Sequence, residues 1–493
     1  MSKIDTPATP SQAARPSLWK RRPYLISFLV LLILAVTSGL IYYSVTSRTR
    51  LEEAFTEADT MDPGWRLQEI EAKRLAVPDN QNSALVLMAA KQLMPSQWPV
   101  WQDKSFPENK NRREEEVLAL QKVFANPDPP VQLRDNELQL LREELKRAAP
   151  ALAEARKVID LPHGRYPIEY SKDFLSTVVP HTQDARTFAN LLAYDAMLRA
   201  QDKDVDGALT SCRGILRVSD SIGDEPTAIS MIVRIGIRQL ALRQIERVLA
   251  QGQPSEASLA SIQQLLEAEE KEPLLVIGLR GERAGMDTLM QAIQNGDVNL
   301  ARLYEGLGGG VYSINGARTL VLPGAVNYDR AALLHWYNIA VGRAGMRTVE
   351  GQRLALEQHE AEARNLPPLA RLLQVSWSGL GRAWFRDQAS MRCVIALVAT
   401  ERFRLAQGRW PHALGKLKSA GYLATVPTDP YSVAELRIQR VPDGIGIYSV
   451  GEGATMGAVP ATAGHASTAP APDSGFRLWN VDKRRQLPQK PGK

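Results

Sequence analysis

The chain has 493 residues, 44% of them hydrophobic, enough for a sizeable core and for two to four domains. Its net charge of +6 sits at the ends: residues 1–22 and 482–493 each hold five basic groups and one acidic group, leaving 50 basic against 52 acidic groups between them. A body so nearly neutral argues against nucleic-acid binding, which needs a basic face. The two cysteines, Cys212 and Cys393, have neither metal-site nor redox spacing.

Residues 23–47 carry no charged side chain, and Lys20, Arg21 and Arg22 stand immediately before them. At about 1.5 Å per residue, a helix over 24–45 spans about 33 Å, enough to cross a hydrocarbon core of about 30 Å. Tyr24, Tyr42 and Tyr43 lie near its ends, where amphipathic rings prefer the headgroup layer. The alternatives are a cleaved signal peptide and a buried core helix. This run is longer than a usual signal core and exits through the bulky Ile41-Tyr42-Tyr43 rather than a small-residue site. The basic flank predicts a cytoplasmic N-terminus, with the rest of the chain outside the inner membrane.

Beyond the span, 51–58 is expected to continue as helix, and Asp62-Pro63 to cap and start another. Residues 83–94 read as an apolar helix, 113–124 as a charged one and 136–159 as an amphipathic one. Residues 182–199, 205–219 and 225–250 form three consecutive helices, with a weak likeness to a tetratricopeptide hairpin. Further helices are expected over 255–271, 273–294, 328–365 and 382–407. Residues 436–441 and 445–450 alternate as strands do, around a turn at Asp443-Gly444. Residues 453–474 read as a flexible linker, 476–479 as an edge strand, and the last residues as a loose tail.

Two segments carry resemblances. Asp62-Pro63-Gly64-Trp65-Arg66-Leu67, with Val77-Pro78-Asp79, Asn82-Ser83-Ala84-Leu85 and the stretch from His181 to Gly281-Glu282-Arg283, is similar to an uncharacterised group of bacterial single-pass membrane proteins with helical exported regions. Glu401 to Pro411, then Val426-Pro427-Thr428-Asp429-Pro430-Tyr431 and Ile447 to Gly451, resembles the major pseudopilins of type II secretion. That resemblance implies a helix leading into a small sheet that often holds calcium. This chain departs from it in two places. The processed motif ahead of the pseudopilin anchor is missing, and the acidic loop after Gly451 reads only Glu452-Gly453.

Candidate chemistry is sparse. Gly306 to Gly310 lacks the strand, helix start and Lys-Ser/Thr pair of a phosphate loop and reads as a connector. Glu357, His359, Glu360 and Glu362 share one polar helix; His359 and Glu362 could hold a metal, but a solvated face is the plainer reading. Arg280, Glu282 and Arg283 follow an apolar run and are expected to form a structural ion pair, with a polar pocket as the alternative. His181, with Asp184 and Arg186 nearby, could line a cleft. Arg234 and Arg238 lie opposite Arg243 and Arg247 on one helix and so make no single basic stripe.

The sequence therefore predicts a mostly α protein: an N-terminal transmembrane helix (24–45) after a basic segment (1–23), a stacked-helix exported domain (46–380), a small α+β module (381–452) and a tail (453–493). No catalytic, cofactor-binding or metal residue is assigned, and no cofactor is called for. The membrane and envelope proteins are the expected partners, nucleic acid is not, and the oligomeric state is not legible. An interaction or scaffold protein is the leading expectation, ahead of a secretion or pseudopilus-like component and an unrecognised envelope enzyme.

Overall fold

The computed structural model describes residues 23–102, 114–125, 127–299, 303, 324–374, 376–432, 434–451 and 475–488. Gly306 to Gly310, the 453–474 stretch and the N-terminal basic cluster lie outside the described residues.

Helix α1 (Pro23–Met61) is 39 residues long. Its apolar N-terminal half has a mean hydropathy of 2.5 and none of that window is buried, so it is long and apolar enough to cross a membrane. The helix does not stop there. Ser47, Leu51, Ala54 and Ala58 recur at helical spacing along its second half, and all four are buried. They face α12 (Ala325–Ala344), whose Leu334 closes a small cluster with Ala54, Ala58 and Trp65. The Tyr43 and Tyr328 ring centroids lie 5.9 Å apart, while farther along both helices Asn338 donates to the Ala54 carbonyl at 3.3 Å. The two helices therefore run parallel, and α12 starts beside Ser44.

Asp62 does not cap a new helix. Asp62 to Gly64 forms a turn, with Gly64 at φ +83°, a left-handed conformation that disfavours any side chain. Helix α2 begins only at Leu67 (Leu67–Lys73), where the Glu69 carboxylate accepts from the Arg66 N–H. Helices α3 (Ser83–Gln92), α4 (Glu114–Ala125), α5 (Asp135–Arg147) and α6 (Ala149–Ala155) follow. The helix expected over 136–159 is split because Pro150 has no N–H and fits only a first turn.

Helices α7 (His181–Gln201), α8 (Val205–Asp220) and α9 (Ala228–Gln251) are the three consecutive helices expected, packed on one another. Helices α10 (Glu256–Glu269) and α11 (Leu274–Asn295) complete this layer. The single helix expected over 328–365 is two: α12 ends at Ala344, and Thr348 starts α13 (Val349–Glu362) by accepting the Gly351 N–H at 3.2 Å. After α14 (Pro368–Leu373), the long α15 (Ser376–Gln407) backs α9, α10 and the sheet.

A short α16 (Gly415–Ser419) leads to three antiparallel strands in the order β1 (Arg437–Val441), β2 (Gly444–Tyr448), β3 (Gly475–Trp479). Val441 pairs with Gly444, so the hairpin loop is Pro442-Asp443, one residue earlier than expected. The third strand is the edge strand expected over 476–479, but the residues beyond it, read as a loose tail, are folded as well. Buried Arg484 donates to the Glu401 carboxylate at 3.0 Å, and Arg485 donates to the Ala200 carbonyl at 2.7 Å. Ile445, Ile447, Phe476 and Leu478 join the same core as the helices, so the sheet has no separate core.

Candidate functional site

The charged groups around Glu282 build the joint between α1 and the domain. Asp62, just past the end of α1, accepts from Arg280 Nε at 2.7 Å and Nη2 at 2.8 Å, and from Arg283 Nη2. Arg283 also donates to Asn338 Oδ1 at 3.2 Å and lies 5.3 Å from the Trp65 ring centroid. Its guanidinium has no exposed surface, so Asp62 supplies the charge that keeps it from being an unpaired buried cation. Burial opposes ionisation of Asp62, but the Arg280 hydrogen bond and both guanidinium charges hold its carboxyl below the usual range. Glu282 faces the other way and accepts the Ala228 N–H at 2.9 Å. Between them Gly281 lets α11 touch the 224–228 loop: a Cβ there would lie 2.0 Å from the Pro226 carbonyl oxygen.

His181 opens α7 and spends its ring on structure. Nε2 lies 2.7 Å from buried Glu225, whose other oxygen accepts from Ser230 Oγ at 2.5 Å, and the Tyr166 ring stacks on it at 4.3 Å. Asp184 pairs instead with Lys91, and Arg186 with Gln183. The structure therefore does not bring these three residues together. A second buried network links α8, α9, α10 and α15. Arg238 donates to Glu269 at 2.6 Å and lies 3.5 Å from Asp387, while Arg234 donates to Asp220 at 3.2 Å. On the far side of α9, Arg247 donates to the carbonyls of Asp128 and Val131, so Arg247 serves a different face from Arg234 and Arg238.

The α13 cluster divides. Glu357, Glu360 and Glu362 are exposed as expected, but His359 is buried. Its ring stacks on Trp336 at 4.5 Å and its Nε2 lies 2.9 Å from the Trp336 carbonyl, so that nitrogen carries the proton and donates. The polar average of the segment hides its period: His359 stands three positions after the buried Leu356, on the same face. Among the described residues no group of three or more His, Cys, Asp or Glu could hold a metal. Cys212 and Cys393 are both buried and form no disulfide, and desolvation pushes both thiols up.

A solvent-open cleft lies elsewhere among the described residues. With a volume of about 680 Å³, it opens between α2, the 165–172 loop and the last turns of α11. Neither His181 nor Glu282 lines it. Thr288, Gln291, Ala292 and Asn295 form one helical face of α11, opposite Gln68 and Glu71 of α2. Glu71 is held firmly, accepting from Arg74 at 3.2 Å, Arg165 at 3.0 Å and the Tyr170 hydroxyl at 2.9 Å. Lys172 and Asp297 pair across the rim at 3.6 Å. The side chains of Gln68, Gln291 and Asn295 are exposed in the cleft and hydrogen-bond no other described residue. None of these cleft residues stands out in the sequence. The available signal is the polar spacing Thr288, Gln291, Asn295 on a helix otherwise facing the core. Comparison with protein-family profiles, curated proteins and solved structures finds no match.

Proposed function

We propose that this is a single-span envelope scaffold: its N-terminus lies in the cytoplasm, its helical domain outside the inner membrane, and the domain offers helical surfaces to protein partners there. The unbroken α1 carries the reading. One helix supplies both the apolar half and, with Leu51, Ala54, Ala58 and the adjoining Asp62, a buried element of the domain. No linker separates the two, so the domain is held at one height and one orientation, as a platform for partners requires. His181, Glu282, Arg283 and His359, the ionisable groups that stood out in the sequence, support it too, since each is bound to neighbours rather than aimed into the cleft.

The test has two arms. Protease added to intact spheroplasts should digest the domain, and an affinity pull-down from solubilised membranes should retain the same partners at high salt. Protection of the domain in spheroplasts would reverse the orientation, and a protein recovered alone would remove the scaffold role. A second reading, a component of a pseudopilus-like assembly, draws support from the C-terminal region. There α15 leads into a small antiparallel sheet, and buried Asp429 ties the 428–431 turn to the end of β2 through Ser449 Oγ at 2.7 Å and the Val450 N–H at 2.8 Å. Pseudopilins among the retained partners would favour it over the general scaffold.

A further inference from the structure

We propose that the cleft between α2 and α11 binds an uncharged oligosaccharide. The charges and polar groups that line it exclude the other ligand classes in turn. An anionic ligand would meet Glu71 and Asp297, and a cationic one would meet Arg165 and Lys172. Each of these four is already paired, Glu71 with Arg165 and Asp297 with Lys172. A charged ligand at Glu71 would have to displace the Arg74, Arg165 and Tyr170 donors as a set, while Lys172 and Asp297, 83% and 41% exposed, form a solvated rim pair that holds a ligand of either sign only weakly. An apolar ligand would strip water from three carboxamides and leave their donors and acceptors unmet. What remains is a ligand that is neutral and rich in hydrogen-bonding groups.

Gln68 on one wall and Gln291 and Asn295 on the other each offer a donor pair and an acceptor, with no described partner to satisfy them. Hydroxyl groups both donate and accept, so a sugar satisfies an amide's two ends at once. A peptide of the same polarity fits less well. Extended peptides are captured along strand edges, or through deep apolar sub-pockets for their side chains. No described strand borders this cleft, and the apolar positions between the amides are the small Ala72 and Ala292 and the buried Leu67. Tyr170 adds an aromatic ring at the wall. Its hydroxyl is fixed by Glu71 and its ring stacks on Phe174 with planes 14° apart, so the ring is set before any ligand arrives. The C–H face of a pyranose packs on such a ring. The volume is within the range of about 300–1,000 Å³ typical of ligand pockets.

The full chain, solubilised in a zwitterionic detergent that carries no sugar, is titrated by calorimetry with cellotetraose and with N-acetylchitotetraose. Saturable binding of one of them is expected. The double substitution Gln291→Ala and Asn295→Ala on one wall, and Gln68→Ala on the other, should each weaken it about tenfold or more, the worth of about one well-made hydrogen bond. All three side chains are exposed and bonded to no described residue, so both variants should unfold at the wild-type temperature, and that measurement accompanies the titration. Binding of neither sugar at millimolar concentration overturns the proposal. So does binding that both variants retain in full, or binding of a neutral alanine tetrapeptide in place of the sugars.

Discussion

Asp62 shows how much can hang on one carboxylate. Removing it by Asp62→Ala leaves the Arg283 guanidinium buried without its counter-charge, a kind of change that costs about 3–5 kcal/mol. Thermal unfolding of the detergent-solubilised variant should show a fall in Tm of several degrees, whereas Glu360→Ala, on an exposed face, should leave it unchanged. The pH sign is set by the same pair. The Asp62 carboxyl is held low, so its contribution is complete above the ordinary carboxylate range and is lost as pH falls through its folded value. Glu246 behaves in the opposite sense. Desolvation beneath β3 pushes it up to about 7, only partly offset by the Arg477 N–H it accepts at 2.7 Å. The fold therefore favours its neutral form, and stability is lost as pH rises from the ordinary carboxylate range to about 7. Glu246→Gln keeps the acceptor and removes the charge, so its Tm should match wild type near pH ~4.5 and exceed it by a few degrees near pH ~8.5. Equal Tm values at both pH values would refute the assignment.

At the scale of elements, most helices were legible because their apolar positions recur at helical spacing, as with the consecutive α7, α8 and α9. What was not legible were decisions made by partners far away in sequence. Asp62-Pro63 has the local chemistry of a helix start, yet Asp62 is claimed by Arg280 and Arg283, 218 and 221 residues on. Arg484 and Arg485 look like solvated tail charges, but Glu401 and the last carbonyls of α7 and α9 use them. The cleft escaped notice for a related reason. Its amides have no motif, and only tertiary packing sets α2 against α11. The helical stripe on α1 was legible in principle, since Ser47, Leu51, Ala54 and Ala58 keep one period past the end of the charge-free run. It makes a direct prediction. A chain starting at Thr46 should be soluble and monodisperse by size-exclusion chromatography, because the whole stripe remains. One starting at Pro63 uncovers Leu334 and strands Arg283, and should aggregate.

For the molecule as a whole, the arrangement of α1, α12 and α11 fixes which end of the domain lies nearest the apolar half of α1. Parallel α12 starts beside Ser44, and antiparallel α11 finishes beside that start, where Gln294 meets Asn327. The cleft, on the last turns of α11, is therefore at that same end. With the apolar half of α1 in a bilayer, anything held in the cleft would sit close to the lipid surface, and the sheet would sit elsewhere on the core.

The shared helix also makes a lever. A bilayer that thickens or thins changes the tilt of a long apolar helix within it, and if the apolar half of α1 spans one, no hinge in the helix would absorb that change before it reached the folded mass. The body would lean as the span leans, and its outermost surface would sweep the widest arc. A single rod with Asp62 as its rivet would thus turn the thickness of any lipid around its apolar half into the angle of the folded body.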